Sequence, residues 1–123
     1  MSTRAIVGMK NADGSIRGMW IWNDGMGLKQ LLIKNFHTID EINSLIELGM
    51  INCLYTEKAA KELDEWRRDN HIVKEGEWIS FRKARAYREF RHIEREPEVY
   101  ANMEEARGQD INYLYLYDPE TNS

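Results

Sequence analysis

The chain carries one cysteine, Cys53, and two prolines in 123 residues. A lone thiol excludes an intramolecular disulfide and a cysteine-built zinc cluster, and Cys53 reads as a small buried hydrophobe. No run approaches the roughly eighteen apolar residues that a membrane-crossing helix needs. The N-terminus lacks the apolar core of a secretory signal, so a cytosolic protein with no membrane contact is expected. His37, His71 and His92 are too far apart for the HxxxH or HExxH spacing that puts two metal ligands on one helix face. GxSxG, P-loop and GxGxxG patterns are all missing, and Gly25-Met26-Gly27 alone is too little to cradle a phosphate. From this, no enzyme, no metal and no cofactor are expected.

What is present describes a single domain spanning residues 1–123. Four Trp, six Tyr and three Phe are spread along the chain, which sets it apart from disordered sequences. A net charge of −4 favours solubility and argues against a non-specific nucleic-acid coat.

Two β-rich runs, Thr3 to Lys10 and Ser15 to Asn23, flank the turn formers Asn11-Ala12-Asp13-Gly14 and predict a hairpin. Its second strand is apolar on both faces and should be covered on both sides. Leu28, Leu31, Leu32 and Phe36 then have helical spacing. Thr38 followed by Glu41 has capping-box spacing for a helix from about Ile39 to Leu48, with Gly49 as its stop. Met50 to Tyr55 is an apolar link. Thr56 can cap a helix to about Asp69 with Ala59, Leu63 and Trp66 along one face. Trp78 to Phe81 suggests a brief strand, Pro97 to Arg107 a helix, and Ile111 to Tyr117 a buried last strand. The order predicts an α+β fold: a small antiparallel sheet, made of the N-terminal hairpin plus the C-terminal strand, with four to five helices packed mainly on one face.

The most patterned segment is Ser80 to Glu96, SFRKARAYREFRHIERE. Read as a helix, it places Ile79, Ala86, Tyr87, Phe90 and Ile93 on one arc and Arg85, Arg88, Arg91, His92 and Arg95 on the other. Arginines a turn apart form a guanidinium row suited to bidentate contacts with carboxylates or phosphates. The same row also fits a solvated face balanced by Glu89, Glu94 and Glu96. Arg82, Arg85, Arg88, Arg91 and Arg95 are thus the candidate binding residues, with Trp78 or Tyr87 as anchors. Trp20 and Trp22 share a strand face, as do Tyr113, Tyr115 and Tyr117; each set reads as core packing or, if exposed, as a base-stacking platform. Asp24 in its Gly-flanked turn could bind a cation or act as a base, or be an ordinary turn residue. Ser2 would become an N-terminal nucleophile if Met1 were removed.

Both ends of the chain resemble small proteins encoded by phages and prophages. The matching residues are Ser2, Thr3, Arg4, Ile6, Asp13, Gly14, Trp22, Asp24 and Gly25 at the start and Ile111 to Asp118 at the close. Ile21 and Met26 depart from the family's usual His and aromatic. The resemblance implies a phage setting, and hence the host-cell cytosol, rather than a reaction. The expected function is that of an accessory binding protein, anti-CRISPR-like, which inhibits a host or defence factor by covering its surface. Its expected partner is a host or bacterial immune protein, such as a nuclease or its nucleic-acid complex, and a homodimer is left open. The alternatives are a nucleic-acid-binding module using the same arginines and a small N-terminal-nucleophile hydrolase.

Overall fold

The computed structural model describes residues 3–23, 25–72 and 75–120. The predicted hairpin forms from β1 (Ala5–Lys10) and β2 (Ile16–Ile21), paired antiparallel with Val7 opposite Met19. The turn between them is held by Asp13, whose carboxylate accepts from both the backbone N–H and the hydroxyl of Ser15. Helix α1 (Lys29–Asn35) buries Leu32 and is flanked by buried Leu28 and Phe36. Helix α2 (Ile39–Ile46) starts on the expected capping box, with Thr38 and Glu41 each accepting from the other's backbone. Two short strands follow, β3 (Met50–Ile51) and β4 (Cys53–Thr56), separated by Asn52. Thr56 caps α3 (Glu57–Asp69), as its position implies. The buried face of α3 is shifted from the expected one: Ala60 is buried, Ala59 and Leu63 are half-buried, and Trp66 is exposed.

Beyond α3 a strand forms around Trp78, as expected, but the segment after it departs from the sequence-based expectation. Ser80 to Glu96 is not a helix. Strand β5 (Gly76–Ser80) turns at Phe81–Lys83 into β6 (Ala84–Glu89), and a single 3₁₀ turn, Phe90–His92, follows. Ala84 and Ala86, both fully buried, alternate with Arg85 and Tyr87, so the segment satisfies a period of two as well as one of 3.6. Pairing decides between the two periods, because β6 is hydrogen-bonded on both sides, to β4 and to β5. The predicted helix after Pro97 also shrinks. Glu98–Tyr100 is a strand, β7, and only Met103–Arg107 is helical, α4, capped by Asn102.

Among the described residues, the result is an α+β fold with eight strands in two sheets and four helices, rather than one small antiparallel sheet under a helical layer. The first sheet is mixed. The last strand, β8 (Tyr113–Tyr117), runs parallel to β1, and β3 runs parallel to β2, beside β7 on the same flank. The second sheet has the order β4-β6-β5.

Helices are not confined to one face either. One face of the first sheet (Ala5, Val7, Met19, Ile21) packs with Leu32, Phe36, Leu45 and Ile46 and with Leu54, Ala84 and Ala86 of the second sheet, forming the main core. Its other face (Ile6, Ile16, Trp20, Leu114, Leu116) closes over Tyr100 and Ala106. Helix α3 covers the far face of the second sheet, where Arg67 lies over Tyr87 with its guanidinium carbon 4.4 Å from the ring centroid. No helix among the described residues is long and apolar enough to cross a membrane.

Candidate functional site

Because the arginine segment is a strand, its guanidinium row does not exist. Arg85 and Arg88 are three residues apart on β6 and point to opposite faces. Arg85 reaches Glu57 on α3 at 3.1 Å, and Arg88 reaches Glu77, its cross-strand neighbour, at 2.6 Å. Arg91 pairs with Glu89. Arg82 is exposed at the far end of the hairpin, a strand's length of about 20 Å from Arg91. The expected anchors turn inward. Tyr87 is buried, and Trp78 packs edge-on against it at 5.2 Å while donating from Nε1 to Asp64.

The tryptophans and tyrosines of the first sheet do structural work. Trp20 Nε1 donates to the Tyr100 hydroxyl at 3.0 Å, and that hydroxyl donates to Glu98. Burial is the first cause, and the carboxylate of Glu98 a further one, that pushes the Tyr100 hydroxyl up to about 12. Trp22 Nε1 points at the Met50 sulfur. The Tyr115 hydroxyl donates to the Gly25 carbonyl and accepts from the Leu28 N–H, pinning the chain that enters α1. Ser2 and Asp24, the candidate nucleophile and turn carboxylate, lie outside the described residues. Among the described residues, no group of three or more His, Cys, Asp and Glu side chains is placed to hold a metal.

A different constellation gathers at the end of β6. Asn52, between β3 and β4, is buried, and each of its polar atoms has a partner. Its backbone N–H donates to the Tyr87 carbonyl and its own carbonyl accepts from Asn23. Its side-chain Oδ1 accepts from the Glu89 N–H at 2.8 Å, and its Nδ2 donates to Glu89 Oε1 at 2.9 Å. His92, also buried, sets Nδ1 3.3 Å from the same Oδ1. An amide oxygen has no proton to give, so in this arrangement the hydrogen sits on Nδ1. The imidazole stacks on Trp22, with ring centroids 6.4 Å apart and planes 10° from parallel. Arg4 lies 5.4 Å from the same indole centroid.

On the outside of this base, the turn from Phe90 to Arg95 projects into solvent. Phe90 is 57% exposed and Ile93 43%, with exposed Arg91 and Arg95 between and after them. The far end of the turn rests on Gly49, whose missing side chain lets the Arg95 carbonyl sit directly against its Cα. Sequence reasoning set His92 beside Arg91 and Arg95 on the outer arc, whereas the structure buries it, and missed the Asn52 amide altogether. The available signal was Asn52 itself, one polar residue inside the apolar run Met50 to Tyr55, where a buried amide must be satisfied by something distant in sequence.

Burial holds His92 below the ordinary histidine value, helped by the charges of Arg91 and Arg95 and opposed by Glu89. The folded state therefore keeps His92 neutral where the unfolded chain takes up a proton. That difference removes stability as pH falls from about 7 through the ordinary histidine range towards the lowered folded value. His92→Gln retains an N–H for Asn52 and cannot titrate. A series of thermal melts between about pH 7 and pH 5 should show a shallower loss of Tm for this variant than for the unaltered chain.

No protein-family model, curated protein or solved structure matches the chain.

Proposed function

We propose that the chain is an accessory binding protein of the kind phages encode. In this reading it inhibits a host or defence protein by covering part of its surface, and the Phe90–Arg95 turn makes the central contact. The observation that carries the proposal is a pair of large apolar side chains held out in solvent on a fixed polar base. Exposed Phe90 and Ile93 lose apolar surface to water only if something covers them. Aromatic and arginine side chains are also the ones that concentrate binding energy at interfaces. The base of Asn52, Glu89, His92 and Trp22 fixes the turn before binding, which reduces the ordering cost of association. The partner best fitted to this tip presents an apolar recess edged by carboxylates for Arg91 and Arg95.

The test compares retention of host-lysate proteins by the immobilised unaltered chain and by Phe90→Ala and Arg95→Glu variants. One protein retained by the unaltered chain should be lost with both variants. Phe90→Ala should cost that complex about 2 kcal/mol, a weakening of roughly thirtyfold, with no change in Tm. Equal retention by all three overturns the assignment of the tip. Binding of labelled DNA or RNA with a steep salt dependence would replace it with the nucleic-acid reading.

A further inference from the structure

The first sheet stops abruptly at β8. Tyr113 N–H bonds back to the Arg4 carbonyl, and the parallel register pairs Tyr113 with Ala5, Tyr115 with Val7 and Tyr117 with Met9. Backbone groups alternate in direction along a strand, so the N–H and C=O groups of Leu114 and Leu116 point away from the sheet. Among the described residues, no strand lies on that side. Natural sheets blunt such edges with charges, prolines or bulges. The stretch Tyr-Leu-Tyr-Leu-Tyr has none of these. Beside it runs a groove of about 580 Å³ between α1 and β8, lined by Leu32, Ile33, Phe36 and Tyr117 among others. Ile33 on the rim is 52% exposed, and Tyr113 on the strand is 39% exposed.

We propose that this edge takes β8 of a second copy of the chain, antiparallel about a twofold axis through Tyr115, so that the two first sheets become one. The register follows from which backbone groups are unpaired. With Tyr115 on the axis, Leu114 of each copy faces Leu116 of the other, and the outward N–H and C=O groups of both are satisfied by exchange. Tyr113 then sits opposite the second copy's Tyr117, so the partly exposed tyrosine of one copy is carried to a residue that lines the groove of the other. Both halves of the contact come from a single sequence, which is what a twofold interface requires.

The charges at both ends of β8 are already neutralised within each copy, Arg4 with Asp110 at 3.0 Å and Lys10 with Asp118 at 4.0 Å. An antiparallel neighbour therefore meets ion pairs rather than bare like charges. The Phe90–Arg95 tip takes no part in this contact, and the inference stands or falls separately from the proposed function.

Sedimentation equilibrium of the full chain from about 5 µM to about 500 µM, the range in which a modest interface associates, reads the result. The mass should rise from that of one chain to that of two. Tyr113→Lys and Ile33→Lys, both at exposed positions, should each weaken the dimer at least about tenfold and leave circular dichroism and Tm unchanged. Hydrogen exchange at the Leu114 and Leu116 amides should slow as concentration rises. A chain that stays monomeric throughout overturns the proposal and leaves the edge to a strand of some other protein. So does a dimer that ignores both variants, or one whose Leu114 and Leu116 amides exchange freely.

Discussion

Replacing Gly49 with alanine is expected to cost on the order of 3–4 kcal/mol, more than an exposed loop glycine should. Gly49 has a φ of +74°, in the region that L-residues enter at a cost of about 1–2 kcal/mol. Space adds a second penalty. A Cβ there would overlap the Arg95 carbonyl oxygen and lie 2.6 Å from its carbon and 2.9 Å from the carbonyl carbon of Glu96. These atoms belong to backbone, so no side-chain rotation relieves the clash. Gly14 supplies the control, with a φ of +89° and open space where its Cβ would stand. Gly14→Ala should therefore lose about 1 kcal/mol and Gly49→Ala roughly three times as much, read as Tm losses of about 4 °C and 10–15 °C. Equal losses at the two sites would mean that the 95–96 segment does not rest on Gly49. Since that contact holds the far end of the projecting turn, Gly49→Ala should also weaken partner capture in whatever fraction remains folded.

The parts of this fold that could be read from the sequence are those whose cause is local. The Asn11–Gly14 turn, the Thr38–Glu41 capping box and the Thr56 cap each depend on a few neighbouring residues, and each forms as expected. Strand β6 depends on distant ones. Its alanines suit a helix as well as they suit a strand, and only the presence of β4 and β5 on either side selects the strand. The direction of β8 is similarly hidden, because an alternating Tyr-Leu run has the same pattern whichever way the chain runs through the sheet. The strand pairing of β6 has a direct functional consequence. Arginines spaced three apart share a side on a helix and oppose one another on a strand, so one row of charge became three separate ion pairs.

The candidate site was hidden for the same reason. Asn52 and His92 are forty residues apart in sequence and meet only because β4 pairs with β6. What survives of the arginine segment is its C-terminal end, where the chain leaves the sheet. There Arg91 and Arg95 keep the solvent exposure that Arg85 and Arg88 lose to Glu57 and Glu77.

Asn52→Ala should cost about 3 kcal/mol, because it strands polar groups rather than simply removing a contact. Without the amide, the Glu89 N–H loses its acceptor, Glu89 Oε1 loses its donor, and the His92 Nδ1–H faces a void. The Glu89 and His92 positions bracket Phe90 and Arg91, so the turn should loosen as the domain weakens. Partner capture should then fall by more than the Tm loss alone accounts for.

Asn52→Asp separates shape from charge. It preserves the acceptor for the Glu89 N–H and for His92, but sets a carboxylate oxygen 2.9 Å from Glu89 Oε1 in place of the amide nitrogen. Two carboxylates at that separation cannot both stay ionised, so the folded cluster retains a proton that the unfolded chain releases at neutral pH. The folded state then binds more protons than the unfolded one, and the sign of the linkage reverses. The variant should gain stability as pH falls from about 7 towards 5, over the range in which the unaltered chain, with His92 held neutral, loses it. Melting curves for the unaltered chain and Asn52→Asp across that range decide the matter: parallel slopes would show that the carboxylate at position 52 does not share a proton with its neighbour in the folded state.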